Sequence, residues 1–208
     1  MWAKVLVYIS AILVAFAILF ASILRTASVR YVVNDSVATE ETQFFESEIG
    51  VNYYLPYPGR ILPDSPFWPL KAMRDRVWLW VTTNPTRKVE LKLLFADKRI
   101  GSSKILFRKG KMEKGLSILA KAEKYLEEAS LDEEKIRKEG FDTTDVLIRI
   151  SNSSLKHYQV MQEIINMVPC EVKPAIIEIQ NYSKKTYERG RNGLLDKGET
   201  PPENPFNW

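Results

Sequence analysis

Six of the chain's 11 prolines fall between Pro56 and Pro85, and proline lacks the backbone N–H that a helix interior or a central strand needs. The stretch Tyr53 to Arg76, YYLPYPGRILPDSPFWPLKAMRDR, therefore separates what can be helical before it from what can be helical after it. Pro56, Pro58, Pro63, Pro66 and Pro69 bias their predecessors toward extended conformations. Tyr53 to Leu62 reads as an extended approach with a turn at Tyr57-Pro58-Gly59. At Asp64-Ser65-Pro66 the signal reverses, because Asp or Ser as cap with Pro in the first turn predicts a helix start. Trp68, Leu70, Met73, Val77, Trp78, Leu79 and Trp80 give that short helix a broad apolar face, ending near Thr82.

Asn84-Pro85 repeats the cap-and-proline device and opens a longer helix. Its stripe runs Val89, Leu93, Ala96, Ile100, Ser103, Phe107, in steps of three and four, and Gly110 stops it. Met112, Leu116, Leu119, Ala122, Leu126 and Ala129 mark a second helix, and the short Lys109-Gly110-Lys111 link makes the pair an antiparallel hairpin. Asp132-Glu133-Glu134 predicts a restart as a short helix ending at Gly140. Thr143 or Thr144, with Asp145, caps a segment carrying Leu147, Ile150, Ser154, Tyr158, Met161, Ile165 and Val168, which stops at Pro169. A last helix runs from Pro174 through Ile176, Ile179, Tyr182 and Thr186 toward Gly190. No period-two run bounded by turns argues for a sheet. The predicted class is all-α, an antiparallel bundle of about four long helices plus one short, over residues 63–190. An extended Pro-rich tail follows over 191–208, in which Phe206 and Trp208 are the candidates to anchor the end in a groove.

Before the proline-rich stretch, Val5 to Leu24 carries no charge, Pro or Gly, over a length that crosses a bilayer core as a helix. The small-x-small triplet Ala15-Phe16-Ala17 lies inside the apolar run, so residues 1–27 read as an uncleaved signal-anchor transmembrane helix rather than a cleaved signal peptide. Lys4 stands on one side of it and Arg25 and Arg30 on the other, so charge alone does not orient it. Asn34 to Glu48 holds five acidic side chains and no basic one. Residues 28–62 then form an acidic spacer and a Pro/Tyr-rich linker.

Lys and Arg number 30 against 26 Asp and Glu, a mixed surface that speaks against nucleic-acid binding. One cysteine, Cys170, excludes an internal disulfide; lying between two prolines, it reads as a small buried side chain. With one histidine, His157, the chain lacks the His/Cys clusters of zinc or copper sites, and no cofactor is expected. His157 stands one step from the Tyr158 stripe and reads as a packed or half-exposed helix histidine. Phosphate-binding Gly loops, H-E-x-x-H, C-x-x-C and G-x-S-x-G are all absent. Asp64, Asp75 and Asp97 are accounted for as caps or surface ion pairs with Lys71, Arg74 or Arg99. No catalytic or metal residue is assigned, and the chain reads as no enzyme.

The positions Leu55 to Gly59, Leu62 to Asp64, Pro66, Leu70, Lys71, Arg74 and Asp75, then Asn84-Pro85, Lys88, Glu90 and Ala96 to Ile100, resemble the opening of a bacterial domain family of unknown function, DUF5667. Trp68 stands where the family has Tyr and Asn84 where it has Asp, which keeps the aromatic and the cap. The resemblance covers roughly residues 53–130. It implies an exported or membrane-tethered helical domain with no assigned activity, single-pass in a bacterial cytoplasmic membrane with the C-terminal domain on the extracytoplasmic side.

The aromatics of Tyr53 to Arg76 either seal the first helix onto the bundle or present a recognition surface. The candidate interaction surface is Tyr57, Pro58, Trp68, Trp78, Trp80, Phe206 and Trp208. The expected function is a non-enzymatic, membrane-anchored module that binds a protein or envelope component. The alternatives are an envelope hydrolase with a Ser/Lys or carboxylate site, and a structural subunit that oligomerises through Ala11, Ala15 and Ser22 of its membrane helix.

Overall fold

The computed structural model describes Val14, residues 50–206 and Trp208. The chain divides into units 1–41 and 42–208; apart from Val14, the apolar run, its small residues Ala11, Ala15 and Ser22, and the acidic segment Asn34 to Glu48 lie outside the described residues. Among the described residues from 50 onward five helices follow in order: α1 (Trp68–Val81), α2 (Pro85–Arg108), α3 (Met112–Lys138), α4 (Thr144–Met167) and α5 (Lys173–Asp196). Among the described residues there is no strand, and no helix is long and apolar enough to cross a membrane.

The long helices form two hairpins, α2/α3 and α4/α5, laid side by side so that α2 neighbours α4 and α3 neighbours α5. The Asn84 side chain accepts the Arg87 N–H at 3.0 Å and starts α2. Gly110, at φ +71°, ends it. There the N–H groups of Gly110 and Lys111 return to the carbonyls of Phe107 and Leu106, which closes the hairpin turn. Two apolar clusters fill the two ends of the bundle. One joins Val89, Leu93, Leu126, Ile136 and Ile150, and the other joins Ile100, Phe107, Leu119, Met161, Ile164 and Ile176.

Four expectations change. The helix expected to restart at Asp132 is a continuation, and α3 runs unbroken to Lys138. Its mid-helix acids have tertiary partners: Asp132 pairs with Lys92 at 2.7 Å, and buried Glu133 accepts from the Thr143 hydroxyl at 2.6 Å. α1 begins at Trp68 without a side-chain cap, because Asp64 faces Lys111 at 2.6 Å across the α2/α3 turn. α5 does not stop at Gly190 but continues to Asp196. Gly190 is a contact glycine: a Cβ there would overlap the Ser151 hydroxyl of α4. Cys170 is exposed in the α4/α5 turn rather than buried.

Although proline-rich, residues 51–58 lie against the bundle. The Val51 N–H donates to Gln159 at 3.3 Å, Lys156 donates to the Val51 carbonyl at 3.4 Å, Leu55 is buried in one end cluster, and Pro58 covers Gly101 of α2. The C-terminal tail meets this strap. Phe206 and Trp208 pack with Val51, Leu155 and Tyr187, and the Tyr187 hydroxyl donates to the Pro202 carbonyl at 2.7 Å.

Candidate interaction surface

α1 is the element that the bundle does not enclose. It packs chiefly on α2, through Trp78, which meets Phe95 edge-on with ring centroids 6.0 Å apart, and through Asp75, which is 2.8 Å from Arg74 and 3.8 Å from Arg99. Arg99 in turn lies over the Tyr125 ring at 4.3 Å. Lys71 fastens the start of the helix by donating to the carbonyls of Pro58 and Ile61 at 2.6 and 3.0 Å. Asp75 and Trp78 are the only buried residues of α1, so its attachment is a narrow inner face.

The outer face is apolar. Leu70, Met73, Val77 and Trp80 follow one another in steps of three, four and three, which at about 100° per residue places them within an arc of about 80°. Leu70 is 62 % exposed, Met73 61 % and Trp80 83 %. A half-buried stripe normally turns inward, so three large apolar side chains turned outward in one line call for an explanation that scattered exposed residues do not. Arg74 and Arg76, both exposed, border the stripe on its two sides. The preceding segment adds exposed Tyr54, Tyr57, Ile61 and Phe67.

The structure separates the seven residues singled out from the sequence. Trp80 and Tyr57 are exposed. Trp68 is half-buried beneath the Lys71 ammonium, 5.1 Å from its ring. Pro58 and Trp78 are buried. Phe206 and Trp208 belong to a different region, where both meet Tyr158 at a tilt, with ring centroids 4.7 and 5.1 Å away, and Lys184 lies over the Trp208 ring at 5.4 Å. Leu70 and Met73 were absent from that set, although the spacing from Leu70 to Trp80 carries the outward stripe.

The chemically richest cluster lies inside the bundle, between the two apolar ends. Asp97 of α2 is no surface partner of Arg99; it is buried and accepts from His157 Nε2 at 3.1 Å, Ser153 at 2.6 Å and the Tyr53 hydroxyl at 2.7 Å. The other imidazole nitrogen, Nδ1, donates to Glu123 of α3 at 2.7 Å, and Ser183 of α5 also donates to Glu123. Burial pushes the imidazole toward neutrality, but the Glu123 and Asp97 carboxylates outweigh it and raise the pKa to about 9. Burial and the neighbouring Asp97 hold the Tyr53 phenol well above its ordinary range. Raised that far, His157 holds its proton at neutral pH, and both of its N–H groups are engaged. His157, Asp97, Glu123, Ser153 and Ser183 are all buried, so none of these five meets solvent as an acid, base or nucleophile must; Tyr53 is half-buried over them. The imidazole stands between the carboxylates, so the three do not converge on a point as metal ligands would; among the described residues no group of His, Cys, Asp and Glu has metal-binding geometry.

An open depression of about 440 Å³ lies between α3 and α5, lined by Glu134, Arg137, Lys185, Glu188, Arg189, Asn192, Gly193 and Asp196. Its charges pair across the wall, Arg189 with Glu134 at 3.6 Å and Arg137 with Asp196 at 4.0 Å.

The profile of a family described as a domain of unknown function, DUF5667, matches residues 60–171. That span begins just after the strap and takes in α1 to α4, farther than the resemblance to residue 130 read from the sequence. No curated protein and no solved structure matches the chain.

Proposed function

Since the chain belongs to the DUF5667 family of domains of unknown function, we propose that it is a non-enzymatic, membrane-anchored extracytoplasmic helical module that binds a protein or envelope component. The observation that carries this reading is the outward stripe Leu70, Met73, Val77 and Trp80, an apolar face with no partner inside the described domain. Support for the anchor comes from Val5 to Leu24, whose uncharged length suits a bilayer crossing. The absence of reactive motifs and the enclosure of the ionised His157 layer favour a binding role over the envelope-hydrolase alternative.

A photo-crosslinking amino acid at position 80, in cells that express the full chain, tests the reading. Position 80 is expected to join a component other than the chain itself, and a crosslinker at Lys114, exposed on α3, is expected to join much less. Equal labelling from both positions, or adducts of the chain with itself alone, would refute it.

A further inference from the structure

The face that α1 leaves open has an electrostatic pattern as well as an apolar one. Between Gly50 and Val81 the basic residues are Arg60, Lys71, Arg74 and Arg76, and the acidic ones are Asp64 and Asp75. Both acids are turned inward and paired: the Asp64 side chain is 12 % exposed beside Lys109 and Lys111, and that of Asp75 is 6 % exposed beside Arg74 and Arg99. What remains on the surface is positive. Lys98, on the adjoining turn of α2, adds a cation near Arg74; its ammonium is held below the ordinary range chiefly by burial. An apolar stripe of Leu, Met, Val and Trp with Arg along both borders and no exposed carboxylate is the composition of a helix that lies in a bilayer interface, aliphatic groups among the acyl chains and guanidinium groups at the phosphates.

We infer that the outer face of α1 docks on the surface of a bilayer containing anionic lipid, with Leu70, Met73, Val77 and Trp80 inserted and Arg74 and Arg76 at the headgroups. The inference rests on the membrane-anchored reading above. A second copy of the chain fits the face less well, because pairing two stripes brings Arg74 and Arg76 of both copies together with no surface acid on α1 to receive them. The tether brings the face near the bilayer: 25 residues join Leu24 to Gly50, and a link of that order raises the effective concentration of a second contact to about the millimolar range, against which the five acids of Asn34 to Glu48 act by repulsion from anionic lipid.

The test uses the full chain reconstituted into vesicles of brominated phosphatidylcholine, with or without phosphatidylglycerol, and compares tryptophan emission of the native chain with that of Trp80→Phe. Trp80 is 83 % exposed, so the variant folds as the native chain does, and the difference between the two signals reports position 80 alone. With phosphatidylglycerol present, bromine is expected to remove about half of the Trp80 signal, and high salt or its omission is expected to restore it. An alkaline carbonate wash of the same vesicles reads the anchor separately. If the chain stays with the vesicles and the Trp80 signal is unquenched, the docking inference is overturned while the anchor stands; a crosslink from position 80 to a protein in that case assigns the face to an acidic protein partner instead. If the wash releases the chain after Trp80 has been quenched on anionic vesicles, the anchor fails and the docking inference holds.

Discussion

Replacing His157 by glutamine removes the one buried cation between Asp97 and Glu123 and leaves two carboxylates facing a neutral amide. The folded imidazole titrates at about 9 against an ordinary 6.5. Its folded value is raised, so its contribution is complete below pH 6.5 and is lost as pH rises through 9. The difference corresponds to about 3 kcal/mol at acidic pH, of which about 2 kcal/mol disappears between pH 7 and pH 9. Urea unfolding of the detergent-solubilised chain, followed by helical circular dichroism at those two pH values, measures that loss. The native chain is expected to lose about 2 kcal/mol more than His157→Gln across the window. At pH 7 the variant itself is expected to be less stable by about 3–5 kcal/mol, the usual cost of leaving a buried charge without its partner. Because His157 is the only histidine, its carbon resonances report the same equilibrium in the native chain whether or not the variant folds. Equal losses in both proteins, or an imidazole that titrates at or below 6.5, would refute the assignment of a charged central layer.

Trp78 and Trp80 are two residues apart and opposite in environment, so Trp78→Ala is expected to cost about 3–5 kcal/mol in unfolding free energy, while Trp80→Ala changes it by less than about 0.5 kcal/mol. Gly190→Ala, which would stabilise an open helix site, is expected to destabilise by about 1–3 kcal/mol through overlap with the Ser151 hydroxyl; the double variant with Ser151→Ala recovers most of that in the same thermal melt. The one thiol, Cys170, is exposed on the domain and is expected to react with a membrane-impermeant maleimide in intact spheroplasts. Reaction only after lysis would place the domain on the cytoplasmic side.

The helices were legible where local chemistry decides them. Asn84-Pro85 as cap and first turn, Gly110 as a left-handed stop, and the apolar steps along α2 and α3 each describe a structure set by neighbours in sequence. The unbroken α3 was not, because Asp132-Glu133-Glu134 has the composition of a helix start and only Lys92 of α2 and Thr143 beyond the next turn make it a helix interior. The buried ionic layer did leave a signal. Asp97 stands beside Ala96, Glu123 beside Ala122 and His157 beside Tyr158, each one step from a stripe residue near the middle of its helix. Charged residues in register on three core faces imply one another, since none could be buried alone. The outward stripe of α1 was hidden for the opposite reason: Trp68, Trp78 and Leu79 make the helix apolar on both sides, and periodicity alone does not say which side the bundle takes.

That the outer face of α1 is a contact surface is tested most directly by Met73→Cys in a Cys170→Ser background, with the rate of maleimide labelling compared between native membranes and detergent. Met73 is 61 % exposed in the described domain, so labelling in detergent is expected to be fast and labelling in membranes about tenfold slower, as for a thiol taken out of water. Equal rates in the two settings would mean that nothing covers α1 and would contradict the account.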